Sequence, residues 1–339
     1  MTTTMPAGVA AARDLVGPAV LGWLDRLSPD VRIVAAYHLG FVDSSGTPTG
    51  EAQGGKALRP ALALLSARAA GAAPERGVTA AAAVEFVHNF SLLHDDIMDD
   101  DTERRHRPTA WTVFGVGAAI LAGDALLCLA QDMLITDPSP QGVWAARCLS
   151  AAVHRLIAGQ GADLAFERRD DVSLDECLQM AGDKTAALMA CACSIGAIYT
   201  GAPAVLVLSL AEFGTGAGLA FQLADDMLGI WGAPDVTGKP VGSDLRARKK
   251  SMPVVAALTS GTDASAELAT LLAGQDPLTE PQVARATWLV EQAGGRDQTE
   301  AMAAKALDSA FGALGRADMP EDVRGELSGI AEFITARQW

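Results

Sequence analysis

Two groups of aspartates, each set in an otherwise apolar run, are the residues of this sequence whose types and spacing could do chemistry. The first run, AAAAVEFVHNFSLLHDDIMDD, carries His88, Ser91, Asp95 and Asp99 at intervals of three, four and four. On an α-helix those intervals make one polar stripe. The second run, GLAFQLADDMLG, sets Gln222, Asp225 and Asp226 among Leu, Ala, Phe and Met. Burying a carboxylate without compensation costs several kcal/mol, so adjacent pairs in apolar surroundings call for cations. All-oxygen donors favour a hard ion, Mg²⁺ rather than Zn²⁺. Either run taken alone also suits an ordinary solvated helix end.

Basic residues gather in short clusters outside these runs: Lys56 and Arg59, then Arg104, Arg105 and Arg107, then Lys239, and finally Arg246, Arg248, Lys249 and Lys250. Metal ions bridging carboxylates to phosphate oxygens, with Arg forks and Lys charges completing the shell, form a diphosphate site. Any single cluster reads equally well as surface charge. The full set points to an anion clamp.

The elements that must position these groups are helices. Sustained β-alternation is absent, and Ala, Leu, Met and Arg favour helix nearly everywhere, which predicts an all-α protein. Helices are expected near 9–27, 30–39, 57–71, 75–99, 112–135, 140–167, 174–199, 204–228, 251–259, 280–294, 297–315 and 320–336. Ser28-Pro29-Asp30 reads as a helix start, and Ser173 with Glu176 and Thr279 with Gln282 have capping-box spacing. Two polar interruptions, 41–56 and 230–250, read as functional loops. Without a low-complexity linker or internal repeat, residues 1–339 are expected to form a single domain. Gly214-Thr215-Gly216-Ala217-Gly218 lacks dinucleotide-binding spacing and reads as close helix packing.

A composition of 50% hydrophobic and 20% charged residues excludes a disordered chain, and a net charge of −15 argues against a nucleic-acid partner. Five cysteines without CxxC spacing read as buried free thiols. The amino-terminal MTTTMPAGVAAARDL lacks the pattern of a signal peptide, and the apolar runs are broken before reaching a membrane span of roughly 18 residues. The expectation is a cytoplasmic protein without stable membrane insertion.

The motifs resemble those of the trans-isoprenyl (polyprenyl) diphosphate synthases, most like the geranylgeranyl diphosphate synthases, in order over about 51–253. LLHDDIMDDDTERRHRPT resembles the family's first aspartate-rich motif, with Asp95, Asp96 and Asp99 in its positions. QLADDMLGIWG is similar to the second motif, with Gly229 where the third aspartate usually falls. The resemblance implies a large isoprenoid-synthase helical bundle with its active-site cavity between helices, and two or three Mg²⁺ ions held by Asp95, Asp99 and Asp225. By GKALRP and its partners, Lys56, Arg59, His88 and Arg105 would grip isopentenyl diphosphate. Arg104 would face the allylic diphosphate, with Lys184 and Thr185 of DKTAAL beside it. Gln222, Lys239 and Lys249 match further diphosphate or metal-shell positions, and Asp244 also aligns, without an assigned role. The implied reaction ionises the allylic diphosphate, adds isopentenyl diphosphate to the cation and releases pyrophosphate, and the implied assembly is a homodimer.

Phe90, five positions before Asp95, is the bulky candidate for the floor of the product tunnel, with Ser91 beside it. In similar enzymes an aromatic there accompanies a twenty-carbon product, although helical geometry alone suits a core role for Phe90. A farnesyl diphosphate synthase, a class I terpene cyclase and a non-catalytic partner subunit are the competing readings. Lys56, Arg59 and His88 weigh against a cyclase, which needs no isopentenyl diphosphate site.

Overall fold

The computed structural model describes residues 7–49, 57–234, 240–274 and 276–336, and these are helical almost throughout. The chain divides into two compact units, each assembled from separated segments.

Unit 1 comprises Met1–Val153, Cys191–Ala211 and Ala317–Gly329. Its helices are α1 (Ala7–Leu24), α2 (Pro29–His38), α3 (Leu58–Ala69), α4 (Val78–Met98), α5 (Ala110–Phe114), α6 (Val116–Ile135) and the start of α7 (Pro140–Phe166). The alanine run 80–83 at the start of α4 is fully buried. Small side chains there let neighbouring helices approach closely, so α4 packs against α1, α3 and α6. Next to it lies a feature that the sequence did not suggest, an antiparallel hairpin of β1 (Glu103–Arg104) and β2 (Arg107–Pro108). Arg68 on α3 pairs with Asp322 and Glu326, each at 2.7 Å, fastening the late segment to the early one.

Unit 2 comprises His154–Ala190, Glu212–Arg316 and Ile330–Trp339. The expected helix over 174–199 is interrupted: α8 (Leu174–Ala181) gives way to a π-turn (Gly182–Ala186) before α9 (Ala187–Tyr199). Helix α10 (Ala204–Trp231) follows, then shorter helices at Ser243–Arg246, Met252–Leu258, Asp263–Leu272, Glu280–Gln292 and Gly295–Leu314. Both capping boxes read from the sequence are formed. Ser28 precedes Pro29 at a helix start as expected, but its hydroxyl caps nothing. Gly216 and Gly218 serve as close-packing positions: a Cβ would stand 2.6 Å from the Ala306 carbonyl oxygen and 2.8 Å from Ala186 Cα, respectively.

By length and composition α6 and α10 could each cross a bilayer, which the reading of broken apolar runs did not anticipate. In this fold they are core helices, burying Leu126, Ala130 and Leu134 on α6 and Leu210, Phe213 and Leu223 on α10.

Candidate active site

In unit 1, Asp95, Asp96 and Asp99 fall in the last turn and C-cap of α4, the helix end with a partial negative charge. Carboxylates gathered there raise the local negative potential and favour a cation. The three are not equivalent. Asp96 is buried and accepts from Arg104 Nε at 2.5 Å, whereas Asp95 is partly exposed and Asp99 exposed. Burial pushes the Asp96 carboxyl upward, with the Arg104 charge opposing. The structure thus gives Asp96 a positioning role and leaves Asp95 and Asp99 the more exposed members of the group.

The hairpin aims the arginines. Arg105 (φ 54°) and His106 (φ 59°) both adopt the left-handed conformation, as a two-residue hairpin turn requires. Side chains other than glycine pay about 1–2 kcal/mol per residue for it. Arg107 donates to the Val42 carbonyl at 3.0 Å and stacks 4.3 Å above the Tyr37 ring, and Tyr37 Oη donates to the Pro108 carbonyl at 2.8 Å. Held in this way, the turn directs Arg104 onto Asp96.

Arg59 and His88 meet behind it. Arg59 Nη1 donates to His88 Nε2 at 3.2 Å. Burial pushes Arg59 down to about 10, against the pull of Glu85 and with the repulsion of Arg105, and it stays charged at neutral pH. Burial also lowers Arg105, which draws on the same Glu85. His88 is held well below the ordinary imidazole value by burial and then by Arg59, Arg105 and Arg104, so it is neutral. Two half-buried guanidinium groups drawing on one carboxylate make a cation-rich recess suited to an anion. Arg59 Nε, Asp96 Oδ2 and His38 Nε2 are buried without hydrogen-bond partners among the described residues. His38, absent from the sequence reading, lines one cavity with Asp96, Arg104, Arg105 and Arg107.

Phe90 is buried on α4, with its ring edge-on to His94 at 4.9 Å. His94 reaches the Ile120 carbonyl at 3.2 Å and takes the space beside Gly123, where a Cβ would lie 2.4 Å from its Nε2. Ser91 Oγ donates to the His88 carbonyl.

In unit 2 the π-turn carries Lys184 and Thr185. Such turns add a residue to one helical turn and often mark functional sites. Here the turn brings Lys184 Nζ to 2.5 Å from Asp163 Oδ2 and lets Thr185 Oγ1 donate to Gln222 Oε1 at 2.5 Å. Gln222 Nε2 donates to Asp226 Oδ1 at 2.8 Å, and the Met252 N–H donates to Asp226 Oδ2 at 3.0 Å. Burial pushes Asp226 up to about 6, against Lys249 and the Met252 N–H. For Lys249, burial opposes the charge, yet Asp226, Asp244, Asp163 and Asp225 together outweigh it and hold the ammonium above its ordinary value.

The structure groups Lys184, Thr185, Gln222, Asp225 and Lys249 in unit 2. It adds Asp163, which the sequence reading missed. Gln160 and Asp163 share the helical spacing that singled out the other polar pairs, and both amide atoms of Gln160 are buried without partners. Lys56 and Lys239 lie outside the described residues.

The donors suit a magnesium ion. Four carboxylates surround Lys249, while among the described residues no three Asp, Glu, His or Cys side chains converge to cage an ion unaided. Carboxylate donors of this kind suit a hard divalent cation such as Mg²⁺, which commonly takes one or two carboxylates.

A family model described as polyprenyl synthetase matches residues 49–290. The chain is 45% identical over 338 residues to a (2E,6E)-farnesyl diphosphate synthase of Mycobacterium tuberculosis, covering 99% of this chain and 94% of that protein. It is 42% identical over 330 residues to a geranylgeranyl diphosphate synthase of the same organism, covering 96% and 92%. Its fold matches the crystal structure of a polyprenyl synthetase from Streptomyces coelicolor A3(2) with a TM-score of 0.92 at 48% identity, covering 97% of this chain and 98% of that one. Similar to these enzymes over nearly its whole length and to the family model over most of it, this chain belongs to the polyprenyl synthetase family.

Proposed function

We propose that this chain is a Mg²⁺-dependent, short-chain trans-prenyl diphosphate synthase that joins isopentenyl diphosphate to an allylic diphosphate and releases pyrophosphate. The observation that carries this reading is the half-buried recess of Arg59, Arg105 and His88. A chain that only cyclised one diphosphate would have no use for a second anion recess. In it the guanidinium groups grip the isopentenyl diphosphate and fix its double bond, and neutral His88 orients Arg59 without adding charge. Asp95 and Asp99 of unit 1, and separately Asp225 of unit 2, would hold the two or three Mg²⁺ ions, and bound Mg²⁺ would supply the positive charge that draws off the pyrophosphate. The C–O bond of the allylic diphosphate breaks, the isopentenyl double bond attacks the resulting cation, and the proton then lost passes to the departing pyrophosphate. The buried apolar side chains around Phe90 keep water from the cation.

The product we favour is geranylgeranyl diphosphate, on the position and burial of Phe90. The slightly higher identity to a farnesyl diphosphate synthase supports the fifteen-carbon alternative. Incubation with Mg²⁺, labelled isopentenyl diphosphate and dimethylallyl, geranyl or farnesyl diphosphate decides between them through the chain length of the dephosphorylated alcohol. No elongation of any primer would overturn the synthase reading. Asp95→Ala is expected to lower turnover by about a hundredfold or more, and Phe90→Ala to lengthen the product.

A homodimer is supported by exposed Val116, Ile120 and Leu121 on α6 and exposed Val143 and Trp144 on α7. A cytoplasmic location is supported by the free cysteines, among them Cys148, whose thiol donates to Cys191 Sγ at 3.8 Å.

A further inference from the structure

We propose that Arg107 is a positioning residue: clamped between Tyr37 and the Val42 carbonyl, it sets the hairpin turn and so aligns Arg104 and Arg105 together. The inference rests on the proposed prenyl-transfer reading, in which those two arginines serve different diphosphates, and it adds a residue that grips neither.

The antiparallel register sets Arg104 directly opposite Arg107, with Arg105 and His106 as the two residues of the turn. Arg104 and Arg105 therefore ride on one hairpin, each strand of which is two residues long. A ribbon this short is not stable by itself. Its turn is also disfavoured, because Arg105 at φ 54° and His106 at φ 59° are left-handed without being glycine. His106 gains little packing in return, its side chain being 89% exposed. Support must come from outside the hairpin, and Arg107 supplies it.

The Arg107 guanidinium is spent on fixed parts of the fold. Its Nη2 donates to the Val42 carbonyl at 3.0 Å, its Nη1 reaches the Tyr37 carbonyl at 3.4 Å, and the group lies 4.3 Å above the Tyr37 ring. Both anchors are themselves held. Val42 bridges to Pro48, and the loop between them is closed by Asp43, which accepts from the Ser45 and Thr47 N–H groups at 2.8 and 3.0 Å. Tyr37 is buried with its ring edge-on to Phe114 at 5.3 Å, and its Oη donates to the carbonyl of Pro108, the next residue of the strand. After Pro108, the Thr109 hydroxyl donates to the Asp101 carbonyl at 2.9 Å. One side of the hairpin is thus fastened at three consecutive residues, while the other side carries Arg104 to Asp96. Arg107 also lines the cavity that Arg104, Arg105 and Asp96 share, so the test must separate loss of the clamp from loss of a charge.

The full-length chain is titrated calorimetrically with isopentenyl diphosphate and, separately, with geranyl diphosphate and Mg²⁺, and melting temperature and turnover are measured in parallel. Arg107→Ala is expected to weaken both affinities by about 10-fold or more, because Arg104 and Arg105 move with one turn. Adding His106→Gly places glycine where a two-residue hairpin turn favours it, and should restore much of both affinities without restoring the charge. Tyr37→Phe, which keeps the ring and removes only the Oη bond, should weaken both affinities as well, and it decides the matter if Arg107→Ala does not fold. Unchanged affinities in the folded variants, a loss confined to one diphosphate, or no recovery on adding His106→Gly overturns the proposal. A parent chain that binds both diphosphates but elongates no primer would overturn only the synthase reading. A parent chain that binds neither overturns both.

Discussion

His38 has its Nε2 sealed from solvent beside three arginines, and burial, then Arg105, Arg104 and Arg107, push it down to about 3. Its ordinary value of 6.5 applies once the chain unfolds. A folded value below the unfolded one means that protonation favours the unfolded chain, so stability is intact above pH 6.5 and is lost as pH falls toward 3. Between pH 7.5 and 5 this one residue should remove about 2 kcal/mol. Urea melts at the two pH values should show a smaller acid loss for His38→Asn, and an equal loss would assign the sensitivity elsewhere. Neither His38 nor Asp163 was legible in the sequence as a site residue. His38 comes from α2, far along the chain from the motif it faces, and Asp163 is the single acid on α7, its neighbour at four residues, Glu167, lying just past the helix end. Asp95, Asp96 and Asp99 were legible as a group, but their division was not, because it depends on where the hairpin sends Arg104.

Among the elements, the π-turn depends on a glycine in a different helix. Gly159 on α7 lies so close to it that a Cβ would meet the Lys184 backbone nitrogen at 2.2 Å. Gly159→Ala should therefore destabilise by about 2–4 kcal/mol, shift Lys184 from Asp163 and lower turnover. Gly161, two residues on, has open space around it. Gly161→Ala should stabilise by about 0.5–1 kcal/mol. Melting temperatures and turnover of the two variants check the contrast; equal effects would mean that the close approach is not maintained in solution. The long helices were legible because an apolar stripe and a cap announce them, as at Ser173 with Glu176 and Thr279 with Gln282. The π-turn left no such signal, since Ala-Gly-Asp-Lys-Thr-Ala-Ala fits an ordinary helix, and only contact with Gly159 makes the wider turn necessary. The helix Asp263–Leu272 was missed because it is short and follows a turn-forming Ser-Gly-Thr, although Thr262 caps it by accepting from the Ser265 N–H. The hairpin was missed because Arg105 and His106 carry no turn signature, left-handed turns being written mostly with Gly or Asn.

For the molecule as a whole, a net charge of −15 keeps free chains apart, while the exposed apolar side chains of α6 and α7 favour association where they can meet. Sedimentation should show a dimer for the parent chain and a monomer for Leu121→Glu combined with Trp144→Glu; an unchanged species would move the contact to another face. The architecture also dictates the order of events during synthesis. Unit 1 takes Ala317–Gly329 from near the end of the chain, and Arg68 finds both of its carboxylate partners there. At the usual pace of translation, on the order of tens of seconds separates the emergence of α3 from that of Asp322 and Glu326. For that interval the apolar surface awaiting Val323 and Leu327, both buried in the finished fold, stays uncovered.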